Sequence, residues 1–323
     1  MVESIILDCD PGHDDGIAIL LAAGNPHIDL VGITTVAGNH TIENVTRNAL
    51  SVCRVAGLTV PVVRGAAAPL VAPQIVAEDI HGKSGLDGPV LPEPLRAPDP
   101  RTAAEFIVET ILDQPPHTIN LVPVGPLTNI ALALRLEPRI VERVKSVVVM
   151  GGSYTRGNVT PSAEFNIYAD PEAAEAVFRA DWDVTMIGLD LTHQALATVD
   201  LQKRIRMIDS EISQFVLDAW EFVGSTYRHH YGFPCPPVHD ACCVAAVIDP
   251  TILTTAPADV RIELTGTWTR GMTVTNFENV PGMHHSNGSA VMQSDYRTQV
   301  ALKLDWHKFA DQIVDAVSFL SQK

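Results

Sequence analysis

Ile5-Ile6-Leu7-Asp8-Cys9-Asp10-Pro11-Gly12-His13-Asp14-Asp15 is the stretch that decides how the rest of the chain is read. Its apolar start predicts a buried strand, and Pro11-Gly12 ends that strand in a turn. The apolar segment 16–23 then predicts a helix with Asp14 and Asp15 in its first turn. Asp8, Asp10, Asp14 and Asp15 therefore crowd one strand-to-helix corner. A helix N-terminus accommodates one or two such acids through capping and the dipole. Four repel and raise one another's pKa. A capped helix start with spare surface acids is one reading; a bound hard cation is the other, and it removes the conflict. Oxygen-only ligands point to Ca²⁺ or Mg²⁺. Because perturbed carboxylates gather at metal and catalytic sites, the second reading is preferred.

Outward from this corner, apolar runs alternate with helical patterns. Strands are predicted at 28–36, 60–63, 118–124, 146–150 and 183–188, and helices at 41–56, 102–113 and 208–228, with another helix opened by Pro171. Such alternation implies βαβ units and a parallel sheet. Past Pro250 the pattern changes: 260–264 and 272–276 read as an antiparallel hairpin, and 299–304 as a last strand before an amphipathic helix. Residues 65–100 are rich in Pro, Gly and Ala, a loop long enough to be functional or mobile. Gly82-Lys83-Ser84 within it imitates the tail of a P-loop, but Ala77 stands where the first glycine is required, and nucleotide phosphate binding is rejected. Residues 227–234 read as a mobile segment. His284-His285 reads as exposed, in a loop without an obvious partner. No repeat or linker divides the 323 residues, and one domain over 1–323 is expected.

Composition narrows the function. Hydrophobic content of 46% and charged content of 19% are those of a globular protein. A net charge of −16 without a basic run argues against nucleic-acid partners. No stretch reaches the roughly 18 apolar residues of a membrane span, and Met1-Val2-Glu3-Ser4 lacks a basic leader region. Five cysteines, an odd number with no CxxC spacing, fit free thiols in a reducing cytoplasm.

In open α/β sheets ligands bind beyond the carboxyl ends of the strands. Asp10 to Asp15, Asn39, Gly125 to Asn129, and Asn158, Glu164 and Asn166 all follow predicted strands, and all are expected to converge on one crevice. Any one of these asparagines alone reads as a turn former. Pro237-Val238-His239-Asp240 opens a buried helix: Asp240 reads as its N-cap, and His239 beside a carboxylate as a candidate general acid. His13 reads as a supporting residue, and Met150 as core or pocket wall.

Taken as a set, Asp8–Asp15, Asp79-Ile80-His81-Gly82, Gly125-Pro126-Leu127-Thr128-Asn129, Ala163-Glu164-Phe165-Asn166-Ile167 and Val238-His239-Asp240 resemble the nucleoside hydrolase family, its inosine–uridine-preferring group in particular. The match covers nearly the whole chain. The resemblance implies an open, mostly parallel Rossmann-like α/β sheet flanked by helices, with a small antiparallel addition near the C-terminus. It implies Ca²⁺-dependent cleavage of the N-glycosidic bond of purine or pyrimidine ribonucleosides, in a homodimer or homotetramer. By the same resemblance Asp10, Asp15, Asp240 and the Val124 carbonyl hold the metal. Asp14 and Asn166 take the 2′ and 3′ hydroxyls with Asn39 beside them, Asn158 and Glu164 take the 5′ hydroxyl, and Met150 lines the sugar pocket. Asp10 is the general base and His239 the leaving-group acid, with His81, Tyr227 and Tyr231 near the base. An oxocarbenium-like transition state needs such a positioned water, anionic sugar site and proton donor.

Two rivals remain at this level. Asp8-Cys9-Asp10 is similar to the start of haloacid-dehalogenase-type Mg²⁺ phosphatases, although Pro11-Gly12 follows where Gly-Thr is expected. A non-catalytic ribose-binding module would keep the metal without turnover, against which stand Asp10 and His239.

Overall fold

The computed structural model describes residues 2–277 and 297–322, so that His284 and His285 lie outside the described residues. The strands are β1 (Glu3–Cys9), β2 (Ile28–Thr35), β3 (Val62–Arg64), β4 (Ile119–Pro123), β5 (Ser146–Met150), β6 (Val184–Ile187), β7 (Leu253–Ile262), β8 (Thr273–Asn276) and β9 (Thr298–Leu304). They form one sheet in the order 3-2-1-4-5-6-9-7-8. Strands β1 to β6 and β9 run parallel, while β7 pairs antiparallel with both β9 and β8. The expected parallel α/β sheet with a small antiparallel addition is therefore what the chain forms.

Side-chain alternation divides the core. Ile5, Leu7, Val122, Val148 and Met150 face one layer, with the helices His13–Gly24, Glu211–Tyr231, Ala241–Ile248 and Trp306–Leu320. Ile6, Ile119, Leu121, Val147 and Val149 face the other, with Ala103–Asp113, Thr128–Leu136 and Pro171–Arg179. A strand buried on both faces explains why the first apolar run shows no alternation with polar residues. Burying each large aliphatic side chain contributes about 1.5–3 kcal/mol. The helix His13–Gly24 is likewise buried all round, with Ile17 to Ala22 no more than 1% exposed. Its N-terminus is thereby held rigidly at the end of β1.

Three expectations change. Tyr227 to Tyr231 belong to the helix Glu211–Tyr231, which continues past 228 until Gly232 ends it in the left-handed conformation at φ 72°. Arg228 in the last turns favours the helix dipole, and glycine supplies the cap. Strand β7 begins at Leu253 rather than Val260, because its first half pairs with β9 before its second half pairs with β8. The loop 65–100 contains a short helix, Glu78–His81, and the polar loop after β5 another, Phe165–Ala169. Among the described residues no helix is long and apolar enough to cross a membrane.

Candidate active site

The strand order reverses around β1, whose neighbours β2 and β4 lead to opposite halves of the sheet. Loops leaving such a point diverge and open a crevice. Here the crevice is a cavity of about 390 Å³, within the range of small-ligand pockets. Asp14, Asn39, His81, Val124, Met150, Asn158, Glu164, Asn166, Tyr227, Tyr231, His239 and Asp240 line it. Asp10 and Asp15, 1% and 0% exposed, lie buried at the same strand-to-helix corner.

The turn after β1 is fastened by its own acids. The Asp15 carboxylate accepts N–H bonds from Asp10 (3.0 Å) and Gly12 (2.9 Å). Asp10 Oδ2 accepts the backbone N–H of Asn39 at 2.6 Å, and the Asn39 amide reaches Asp15 Oδ2 at 3.2 Å. Asp10 Oδ1 is buried without a hydrogen-bond partner among the described residues. Gly38 and Gly125 allow this packing, since a β-carbon at either would run into the Asp10 carboxylate.

Asp14, Asp15 and Asp240 bring carboxylate oxygens within 4.8 Å of one another. Asp14 thus joins the tight group in which the sequence reading places Asp10. Asp240 stands at the N-cap position of Ala241–Ile248, but its backbone is helical (φ −70°, ψ −36°) and its side chain caps nothing. Its carboxylate turns to the other acids instead. Burial, then the neighbouring charges, raise Asp10 and Asp240 well above the usual carboxylate range; Asp14 rises to about 7 for the same reasons. Acids this close, one with a buried oxygen lacking any donor, fit a hard cation by donor type and by charge. Asp8 is separate: Thr34 Oγ1 (2.5 Å) and the Asn129 amide (2.7 Å) bond its Oδ1. Register dictates the first contact, because Asp8 is the β1 partner of Thr34 in β2. Asn129 therefore braces β1 from beneath and does not line the cavity, contrary to its expected place in the crevice.

One wall comes from the loop after β5. Glu164 caps the helix Phe165–Ala169, accepting from the N–H groups of Asn166 (2.8 Å), Ile167 (3.1 Å) and Gly152 (2.9 Å). Burial raises it to about 7. Asn158 Oδ1 accepts from Phe165 N–H at 2.9 Å. The Asn166 amide donates to the carbonyls of Val124 (2.8 Å) and Met150 (3.1 Å), tying the ends of β4 and β5 together.

The opposite wall carries rings. His239 Nδ1 lies 2.7 Å from Thr192 Oγ1, and its Nε2 lies 2.9 Å from the Tyr227 hydroxyl. Burial lowers His239 to about 3, so its ring is neutral, and raises Tyr227 well above 10. Tyr227 and Tyr231 rings are 5.2 Å apart, with Phe233 beside Tyr227 at 5.9 Å. His81 Nδ1 meets His13 Nδ1 at 2.9 Å. The sequence reading missed Thr192 and Phe233, and Asp87, whose carbonyl lies 2.7 Å from His13 Nε2. Thr192 follows β6 and was open to the same strand-end rule; Asp87 and Phe233 carry no such signal.

Comparison with known proteins points the same way. The family model described as inosine-uridine preferring nucleoside hydrolase matches residues 5–311. A Crithidia fasciculata protein of that name is 49% identical over 319 residues, 98% of each chain. The pyrimidine-specific ribonucleoside hydrolase of Escherichia coli K12 is 44% identical over 270 residues, 84% of this chain and 86% of that one. Among solved structures, the purine-preferring ribonucleoside hydrolase from Gardnerella vaginalis superposes with a TM-score of 0.89 at 32% identity, covering 99% of both chains. These likenesses lend no support to the phosphatase reading. A family match over nearly the full length, on a sheet whose switch point carries the acids, leaves one conclusion: the chain is a ribonucleoside hydrolase and belongs to the inosine-uridine preferring nucleoside hydrolase family.

Proposed function

We propose that this enzyme hydrolyses free purine and pyrimidine ribonucleosides to ribose and base, with one Ca²⁺ held by Asp10, Asp15, Asp240 and the Val124 carbonyl. The observation that carries the reading is the convergence of Asp14, Asp15 and Asp240 on a cavity with amide and carboxylate groups on one wall and a Tyr–His pair on the other. All-oxygen donors that include a backbone carbonyl suit Ca²⁺. When bound, the ion supplies positive charge that keeps the acids ionised at neutral pH and acidifies a neighbouring water.

The chain's own groups do the rest. Asp10 Oδ1 takes the proton of the attacking water, while the Asn39 N–H holds Oδ2 in place. Asp14 and Asn166, with Asn39 beside them, bind the 2′ and 3′ hydroxyls; Asn158 and Glu164 bind the 5′ hydroxyl; Met150 packs against the ribose. The anionic sugar side stabilises positive charge developing on the ribosyl centre. Protonation of the departing base falls to the hydrogen-bonded Tyr227–His239 pair, which passes one proton toward the cavity. Tyr231 closes over the base, and His81 flanks it. We further propose one domain, a homo-oligomer, and a cytoplasmic setting that suits four buried free thiols.

The test is sugar discrimination. Uridine should be cleaved to ribose and uracil with kcat/KM about 10⁴-fold above that of 2′-deoxyuridine, because a buried polar site left unpaired discriminates to that extent. Comparable values for the two nucleosides would remove the diol contacts and with them this reading of the cavity.

A further inference from the structure

Against the catalytic cavity lies a second one, of about 540 Å³. The two share Asn158, Val159, Tyr227 and Tyr231, so they meet at the loop after β5 and at the end of the helix Glu211–Tyr231. Among the described residues no carboxylate side chain lines the second cavity.

One side of it is a loop of fixed shape. The N–H groups of Asn158, Val159 and Thr160 all donate to the Ala163 carbonyl, at 3.2, 3.2 and 3.4 Å. The Thr160 hydroxyl accepts the Ala163 N–H in return at 2.9 Å. Gly157 permits this closure, since a β-carbon there would overlap the Ala163 backbone. With those N–H groups committed, the carbonyls of Gly157, Asn158, Val159 and Thr160 accept no hydrogen bond among the described residues. Arg156, exposed and lining the same cavity, has a guanidinium with no hydrogen-bond or ion-pair partner among them. The other side is made of rings. Phe233 stands 5.9 Å from Tyr227 and 4.9 Å from His193, edge to face with both, and Tyr231 stands 5.2 Å from Tyr227.

These groups define a class of ligand. Aromatic walls favour a flat aromatic guest. A free guanidinium and free carbonyls ask for a guest whose edge carries both C=O and N–H groups. An anion fits poorly, because the loop's N–H groups are already used and its open carbonyls repel negative charge. We propose that the second cavity is a holding site for free nucleobase, purine or pyrimidine, which the departing base reaches past Tyr227 and Tyr231. It is separate from the position that the base occupies while bonded to ribose. That base arises next door rests on the ribonucleoside reading above; the capacity to bind base does not.

The test is equilibrium dialysis of the calcium-loaded enzyme against radiolabelled hypoxanthine, with the catalytic cavity filled beforehand by an aryl iminoribitol. The hydroxyls of that compound occupy the sugar site and its aryl group the position of the bonded base. One hypoxanthine per chain should still bind, with a Kd of about 1 mM or tighter, as expected for a ligand of this size. Uracil should displace it. Arg156→Leu should weaken this binding about tenfold, the worth of one hydrogen bond to a charged group. The same variant should leave kcat/KM for uridine and the affinity for the iminoribitol unchanged. Absence of binding to the filled enzyme would overturn the proposal, as would binding that Arg156→Leu leaves intact. Displacement by inorganic phosphate but not by uracil would overturn it too, in favour of an anion site. If the iminoribitol does not bind, or uridine is not cleaved, the proposed reaction is refuted instead. Hypoxanthine binding to the open enzyme, with and without Arg156→Leu, then decides the site.

Discussion

At the scale of single residues, the two catalytic assignments differ in what they act on. Asp10 has one oxygen pinned by the Asn39 N–H and one left without a partner among the described residues, an arrangement suited to the general base proposed for it. His239 is engaged at both nitrogens, by Thr192 and Tyr227, and burial keeps it neutral. In the proposed mechanism it would therefore act through Tyr227 and not as a free imidazolium, a distinction invisible in Val238-His239-Asp240 as a string of letters. With p-nitrophenyl riboside the leaving phenolate needs little protonation. We expect His239→Ala to lose about 10²-fold more on inosine than on that substrate. Asp10→Asn should be crippled on both, since water attack is common to them. Steady-state kinetics on variants of verified calcium content check this, because His239 adjoins Asp240. Equal losses in a calcium-replete His239→Ala would remove the ring from proton delivery.

At the scale of elements, the site is a meeting of strand ends. The loops after β1, β2, β4 and β5 were legible in the sequence because polar residues follow apolar runs there, and the order of strands then brings them together. What the sequence concealed is contact made across distance. Asn129 reads as a site residue yet supports Asp8 from below, and Asp240 reads as a cap yet faces its fellow acids. Tyr227 lies in a helix whose last turns looked mobile, because a run of Tyr, Arg and His has weak helical preference until the Gly232 cap and the packing beneath it are known. The loops also bear on Asp10 sterically. Gly38 lies so close that a β-carbon would overlap Asp10 Oδ2 and Pro126. Gly38→Ala should therefore push the base aside and lower kcat by about 10²-fold, in keeping with displacement of a reacting group by about an ångström. Its melting temperature should fall by only a few degrees. An alanine variant of full activity would show that the loop after β2 does not set the position of Asp10.

At the scale of the whole molecule, a parallel sheet covered on both sides was readable from strand–helix alternation, and the buried acids make its stability depend on pH and on the cation. Without the ion, burial raises Asp8, Asp14 and Glu164 to about 7, and raises Asp10, Asp15 and Asp240 as well. The folded protein then holds more protons than the unfolded chain above about pH 4, so stability falls as pH rises through this window. His13 and His239, lowered to about 4 and 3, act in the opposite sense, a contribution that is nearly complete only about one unit above the unfolded histidine value near 6.5. Between about pH 7.5 and 8.5 the carboxylates act almost unopposed, and the buried thiols of Cys9, Cys53, Cys242 and Cys243, also raised by burial, begin to act in the same direction. Calorimetry of chelated protein should show the melting temperature falling by about 5 °C over that range. With calcium bound the acids stay ionised, and the melting temperature should hardly move. A chelated protein as insensitive to pH as the loaded one would mean that the cluster is not strained by its own charge. The most direct measurement of the central claim is release of uracil from uridine by one preparation in three states: as purified, after exhaustive chelation, and after calcium is restored. Turnover should fall at least about 10³-fold on chelation, as expected when transition-state electrostatics are removed, and return with stoichiometric calcium; full turnover in protein shown to be metal-free by elemental analysis would contradict it.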